Sequence, residues 1–241
     1  MQYANEKSAP SDLVSCLCVT EDRPAFARWL YWNYRKQDYP ARELVIVDSS
    51  PEPTTASNDA SVTVVRCAPG TSVARKRNLA VDAARGAVIT WFDDDDWQHP
   101  RKLSILAAAL GADGVLAGSR QSWFVDPARS RARPFDTQRN VIFNGLGVRR
   151  AALDGVRFDE DRARAADTAW VASVRRRMRC TARFVPEILS WWLCHAANIS
   201  NPVTRYVFPH PLADVARAVG ADDWGDTDEE LAHLRRRLGG P

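Results

Sequence analysis

From Leu13 to Phe92 the chain alternates short apolar runs with segments of helical spacing, and that rhythm admits very few folds. The run LVSCLCVT (Leu13 to Thr20) is nearly continuous in apolar residues and rich in valine and cysteine, the pattern of a buried first strand. In AFARWLYWNYRKQ, Phe26, Trp29, Leu30 and Asn33 recur at helical spacing; Asp22 can cap that helix and Pro24 fits its first turn. ELVIVDSS follows as a second strand ending at Asp48, then the polar connection SPEPTTASNDAS and a third strand, VTVVRC. A helix from about Ser72 to Arg85, closed by Gly86, leads into the strand AVITWF. Strands and helices in this order imply parallel strands joined by crossovers, an α/β sheet with helices on both faces.

The alternation continues beyond Pro100 through the helix RKLSILAAAL and the strand GVLAGS, and then loosens. RQSWFVDPARSRARPFDTQRNVIFNGLG has strand-like ends around an Arg- and Pro-rich middle, and the stretch from about Asp126 to Arg139 reads as a mobile loop facing substrate. A helix beginning near Asp167, a strand near TARFVPE and the segment ILSWWLCH complete the body, and the tail from Arg205 to Pro241 reads as an amphipathic helix or two. The expected organisation is a single domain, with a nucleotide-binding half over 12–100, an acceptor half over 101–204 and a helical tail over 205–241.

Composition excludes several classes. With 33 basic against 30 acidic side chains and a net charge of +3, no overall field points to nucleic acid or an anionic membrane. Arg175-Arg176-Arg177 and Arg235-Arg236-Arg237 read as solvated helix faces. No apolar run is long enough to cross a bilayer and MQYANEKSAPSD lacks the core of a signal peptide, so the expected compartment is the cytoplasm. Cys16, Cys18, Cys67, Cys180 and Cys194 lack the paired spacing of a zinc site and read as reduced thiols.

Against this frame one stretch stands out: AVITWFDDDDWQHP, where a buried strand runs into Asp93, Asp94, Asp95 and Asp96. Carboxylates so close repel one another unless a cation sits among them, and a hard divalent ion such as Mg²⁺ or Mn²⁺ takes oxygen ligands. If the segment stays extended, Asp93 and Asp95 face one side and Asp94 the other. Asp48 ends a neighbouring strand, well placed to accept a hydrogen bond from a base or sugar. The bland reading is a solvated acidic turn with a helix capped by Asp96.

The segments VSCLCVTEDRP, QDYPARELVIVDSS, GTSVARKRNLAVDAARGAVITWFDDDDWQHP, VRFDEDRARAADTAW and VPEILSWWLCHAANIS together resemble glycosyltransferase family 2 with its GT-A (Rossmann-like) fold, over about Leu13 to Ser200. The resemblance implies that FDDDDW is a DXD-like element in which Asp95 binds the metal and Asp93 or Asp94 touches ribose or the metal's water shell. It implies that Asp48 contacts uracil or another base, and Thr20 is grouped with the donor-binding residues. Arg77, in the step Arg77-Asn78, matches an arginine suited to a diphosphate or the nucleotide edge, with Arg75 competing for that role. RAADTAW resembles the family's ED motif and implies Asp167 as catalytic base; on residue pattern alone, Asp167 also sits where a helix N-cap belongs. His195 has two readings, a ligand of the metal or diphosphate and a hydrogen-bonded packing residue. The chain departs from the family pattern at Ala166 (for glutamate), Leu193 (for arginine) and Ser49 (for a second acidic residue), which bears on leaving-group contacts and acceptor identity.

The implied reaction is inverting, metal-dependent transfer of a sugar from a nucleoside diphosphate, with UDP favoured over GDP and dTDP, to an unidentified acceptor. No QxxRW motif is present, so a single addition is expected. Trp123, Phe124, Trp191 and Trp192 would suit stacking on a sugar ring. Two rivals stand: a nucleotidyltransferase, although TEDRP lacks the Gly-rich phosphate loop such enzymes carry after their first strand, and a non-catalytic nucleotide- or carbohydrate-binding module, favoured by Ala166.

Overall fold

Strand β1 (Val14–Thr20) lies at the centre of a seven-stranded sheet, hydrogen-bonded in parallel to β2 (Arg42–Asp48) on one side and to β4 (Val88–Trp91) on the other. The computed structural model describes residues 12–53, 58–162, 165–195 and 208–212, with 229, 232, 233 and 236 from the tail. Strand β3 (Val62–Arg66) extends the parallel set beyond β2. On the other flank β9 (Leu146–Arg149) runs antiparallel to both β4 and β6 (Leu116–Ser119), and β10 (Arg183–Val185) closes that edge parallel to β6. The sheet is therefore mainly parallel, as expected.

Period-two alternation along β1 sorts the core into two layers. Cys16 and Cys18 pack with Leu30 and Tyr34 of α1 (Pro24–Arg35) and with Leu103, Leu106 and Leu110 of α3 (Lys102–Leu110). Leu17 points the opposite way, towards Ala74 and Ala80 of α2 (Val73–Ala83) and Trp170, Val171 and Val174 of α4 (Ala166–Met178). Helices thus cover both faces, and all five cysteines are free thiols. Among the described residues no helix is long and apolar enough to cross a membrane.

Three helix ends differ from expectation. Asp22 does not cap α1: Arg23 holds the N-cap position without a side-chain cap, and Asp22, at φ 51°, donates its N–H to Ser50 Oγ at 2.7 Å. Gly86 does not close α2, which ends at Ala83 with Ala84 already extended. Glycine is needed at 86 because a Cβ there would lie 2.6 Å from Leu13 O and from Ser15 Oγ. The N-cap of α4 is Ala165, left-handed at φ 53°, so Asp167 lies inside the first turn and not at the cap.

The larger correction concerns Asp126 to Arg139. The middle of that stretch is a strand, β8 (Arg131–Asp136), paired antiparallel with β7 (Gln121–Asp126) in a second, five-stranded sheet. Its arginines misled because they alternate outward from buried Ala132, and Pro134 is tolerated because β12 (His210–Pro211) pairs only with Arg131 and Ala132. Asp126 closes the turn, accepting from Arg129 N at 3.1 Å and pairing with its guanidinium at 2.7 Å. In the same sheet β11 (Ser190–Leu193) lies between β7, parallel, and β5 (Trp97–Gln98), antiparallel, with Trp97 and Trp191 stacked at 3.9 Å. The tail reading falls mostly outside the described residues; Glu229, Ala232, His233 and Arg236 are helical.

Candidate functional site

The carboxyl ends of β1, β2 and β4 meet at one edge of the main sheet, where ligands of open α/β sheets gather. Beyond β4 the four aspartates do not stay extended. Asp96 N donates to Asp93 O at 3.3 Å, so the segment turns, and the expected alternation of Asp93 and Asp95 against Asp94 does not form. Instead Asp94 and Asp95 converge on one guanidinium. Arg23 Nη1 donates to Asp94 Oδ1 at 2.8 Å and Arg23 Nη2 donates to Asp95 Oδ2. Thr20 Oγ1, at the end of β1, donates to Asp94 Oδ2 at 2.7 Å.

His195 meets the turn from the second sheet. Its Nε2 lies 3.2 Å from Asp95 Oδ2, and its ring packs 4.7 Å from that of Phe26. The position follows from strand pairing: β5 leaves the aspartate turn, β11 pairs with it, and two residues beyond β11 the chain reaches His195. The packing reading of this histidine therefore has contacts behind it, and those contacts set Nε2 beside the Asp95 carboxylate.

Asp96 turns inward and caps no helix. Its carboxyl accepts from Asn144 Nδ2 at 2.6 Å and Leu193 N at 3.2 Å, while its carbonyl accepts from Trp29 Nε1 at 2.9 Å and Asn33 Nδ2 at 3.2 Å. Beneath it lies Lys102, fully buried, donating at 2.7 Å to each of Trp91 O, Gln98 Oε1 and Asn144 O. Burial pulls this amine down to about 7.

Charge in the turn is unevenly shared. Burial, with Asp95 next to it, pushes Asp94 up to about 7 despite Arg23 and Thr20. Asp96 is raised well above the carboxylate range, by burial first and then by Asp95 and Asp93. Burial also raises Asp93, against the pull of Arg77. Asp95 is lowered: burial opposes its charge, but His195 and Arg23 more than offset that. Negative charge thus concentrates on Asp95, which at 9% exposure is less deeply buried than Asp94 and Asp96 at 3%.

Asp48 is fully buried and already engaged. It accepts from Ser50 N at 2.8 Å and Ser50 Oγ at 2.5 Å through one oxygen, and from Arg66 Nη1 at 2.7 Å through the other. Lys76, another buried cation, donates to Ser49 Oγ and Glu21 Oε2, both at 2.9 Å. Arg77 lies among aromatic faces, 4.4 Å from Phe143, 5.5 Å from Phe158 and 5.7 Å from Trp91. Its Nε is buried with no hydrogen-bond partner among the described residues, an orphaned donor suited to an anionic ligand. Arg75 is more than half exposed and pairs with Glu160 at 3.3 Å, apart from the aspartates. Asp167 is half-buried and accepts from Thr168 N at 2.7 Å; Asp93 feels its charge together with that of Arg77.

Thr20, Asp93, Asp94, Asp95, Arg77, Asp167 and His195 therefore face one region, whereas Arg75 does not. Sequence reasoning missed Arg23, Lys76, Lys102 and Asn144. Arg23 carried a faint signal, a cation directly after a strand end that opens the site; the other three look like ordinary helix or loop residues. Among the described residues no three His, Cys, Asp or Glu side chains form a metal cage. Asp95 and His195 still offer an oxygen and a nitrogen donor, and a hard divalent ion held by one or two protein groups completes its shell with substrate phosphates, so the donor set fits an open site.

Residues 22–160 match the family described as Glycosyl transferase family 2. The "Putative colanic acid biosynthesis glycosyl transferase WcaA" of Escherichia coli (strain K12) is 31% identical over 103 residues, 40% of this chain and 37% of that protein, so the match spans well under half of the relative. Among solved structures, S. aureus TarS 1-349 in complex with UDP-GlcNAc aligns over 94% of this chain and 70% of its own at 18% identity and TM-score 0.59. The mannosyltransferase PcManGT of Pyrobaculum calidifontis, in complex with GDP-Man and Mn²⁺, aligns over 95% and 74% at 16% identity and TM-score 0.57. These likenesses establish the shared fold.

Proposed function

This chain belongs to glycosyltransferase family 2 with a GT-A fold, and from that premise we propose that it transfers a sugar from a nucleoside diphosphate, with UDP the favoured carrier, to an acceptor nucleophile in a single inverting addition. The observation that carries this reading is the meeting of Asp95 and His195 at the carboxyl end of β4, next to Asp94 and Thr20. Asp95 and His195 hold a divalent cation, Mn²⁺ or Mg²⁺. Bound there, the ion supplies neutralisation of the charge that accumulates on a departing diphosphate.

The remaining roles belong to the chain's own groups. Arg77, its guanidinium braced by three aromatic faces, binds the diphosphate or the nucleotide edge through its unpaired Nε. Asp93 or Asp94 addresses the ribose or the ion's water shell. Asp48, held in place by Ser50 and Arg66 at the end of β2, contacts the base. Asp167 accepts the acceptor's proton, and Ala166 in place of a carboxylate leaves it as the acidic residue of the first turn of α4. The donor half spans 12–100 and the acceptor half 101–204.

A panel of nucleotide sugars titrated by calorimetry, with Mn²⁺ and then with chelator, tests the reading. Saturable binding of one UDP-sugar that weakens on chelation is expected; binding of none, or binding indifferent to chelator, overturns it.

A further inference from the structure

Four clustered aspartates demand a counter-charge, and the chain supplies one itself. Arg23 precedes the first residue of α1 and reaches across the strand ends to bridge Asp94 and Asp95, 71 and 72 residues away in sequence. Its guanidinium is packed 4.8 Å from the Phe26 ring, and its side chain keeps only 20% of its exposure. The oxygen it engages on Asp95, Oδ2, is the one that faces His195.

We infer that Arg23 is the resident counter-ion of the donor site, and that its guanidinium and a divalent cation exclude each other on Asp95. This rests on the reading that Asp95 and His195 are the metal donors. Asp95 Oδ2, facing both a guanidinium and an imidazole, has both in-plane lone pairs engaged, and a dication placed at either oxygen of Asp95 lies beside the guanidinium and meets like charge in a poorly hydrated site. Arg23 need not leave the site to yield. Asp94 Oδ1 and the Phe26 face both hold it independently of Asp95, so a change of side-chain rotamer releases Oδ2 while the second contact persists. A nucleoside diphosphate brings negative charge that both cations can share. Metal alone therefore binds weakly, and metal and nucleotide bind cooperatively, because the nucleotide removes the cost of placing two cations together.

The test is binding of Mn²⁺ alone, read by electron paramagnetic resonance, in wild type, Arg23→Gln and Arg23→Lys. Arg23→Gln is expected to bind Mn²⁺ at least about tenfold more tightly than wild type, since the like charge is gone. Its affinity should gain less from added UDP. Arg23→Lys keeps the charge and should stay within about threefold of wild type. In unmodified protein, whose folding is not in question, the Arg23 Nη resonances should shift and exchange faster when Mg²⁺ is added, as the bridge to Asp95 opens. Equal Mn²⁺ affinity in wild type and Arg23→Gln, or Arg23 resonances unmoved by saturating Mg²⁺, overturns the exclusion while leaving the metal site standing. No binding of Mn²⁺ to any variant, with or without UDP, overturns the exclusion and the metal-dependent reading together.

Discussion

Lys102 and Asn144 are joined at the floor of the site: Lys102 Nζ donates to Asn144 O at 2.7 Å, and Asn144 Nδ2 donates onward to Asp96 at 2.6 Å. A buried amine is thereby tied to the back of the aspartate turn, with Gln98 completing the connection through 3.2 Å and 2.7 Å hydrogen bonds to the same two residues.

Lys102→Met should therefore loosen the turn and leave three buried acceptors without their donor, at about 1–3 kcal/mol for each group left unsatisfied, partly offset by removal of a buried charge. The pH dependence carries the clearer signature. Native Lys102 titrates at about 7 against 10.5 in the unfolded chain, so between those values the unfolded state binds more protons and this group's contribution to stability rises with pH. Urea unfolding at several pH values from 7 to 9 should show wild type gaining on Lys102→Met by up to about 1.4 kcal/mol per pH unit. A difference independent of pH would mean that the amine is not held in the depressed state.

Asp95→Ala should leave the fold intact, because Arg23 keeps Asp94 and the rest of the turn is held through Asp96. Calorimetry with UDP and Mn²⁺ should show affinity falling by about a hundredfold or more, beyond the 10–100-fold typical of groups that only support a metal ligand. A variant with an unchanged response to Mn²⁺ would move the metal elsewhere.

Asp167→Asn separates a base from a helix residue. Asparagine retains the contact to Thr168 N, so the melting temperature and donor affinity should change little. Turnover should fall about 10²–10⁴-fold, the contribution of a positioned base. If melting temperature drops and transfer rate does not, Asp167 serves α4 alone, and Asp159 or Glu160 becomes the next residue to substitute.

The β7–β8 hairpin should be protected from hydrogen exchange without any ligand, since its ladder is formed and Val125 and Ala132 are fully buried. Amides of β8, Arg131 to Asp136, exchanging as fast as an unstructured peptide in the free protein would restore the lid reading that the strand pairing contradicts.

Local sequence pattern determined the parallel strands β1 to β4 of the main sheet and which end of them carries chemistry, though not the antiparallel β9 beside them. Continuous apolar runs such as Leu44 to Val47, followed by helical spacing, leave little choice but parallel strands with crossovers, and Asp48 and Asp93 to Asp96 are then at the strand ends by arithmetic of position. Tertiary structure alone decided how those carboxylates are used. Whether Asp94 and Asp95 point apart or together depends on a turn that is stabilised by Arg23 across 71 and 72 residues and by Asn144 across 48, and no local window contains such partners. The same reason hid the hairpin: Arg131 and Pro134 look like loop residues until β7 and β12 are beside them, because strand preference belongs to the pairing and the burial of the opposite face, which the residues acquire only when distant segments meet.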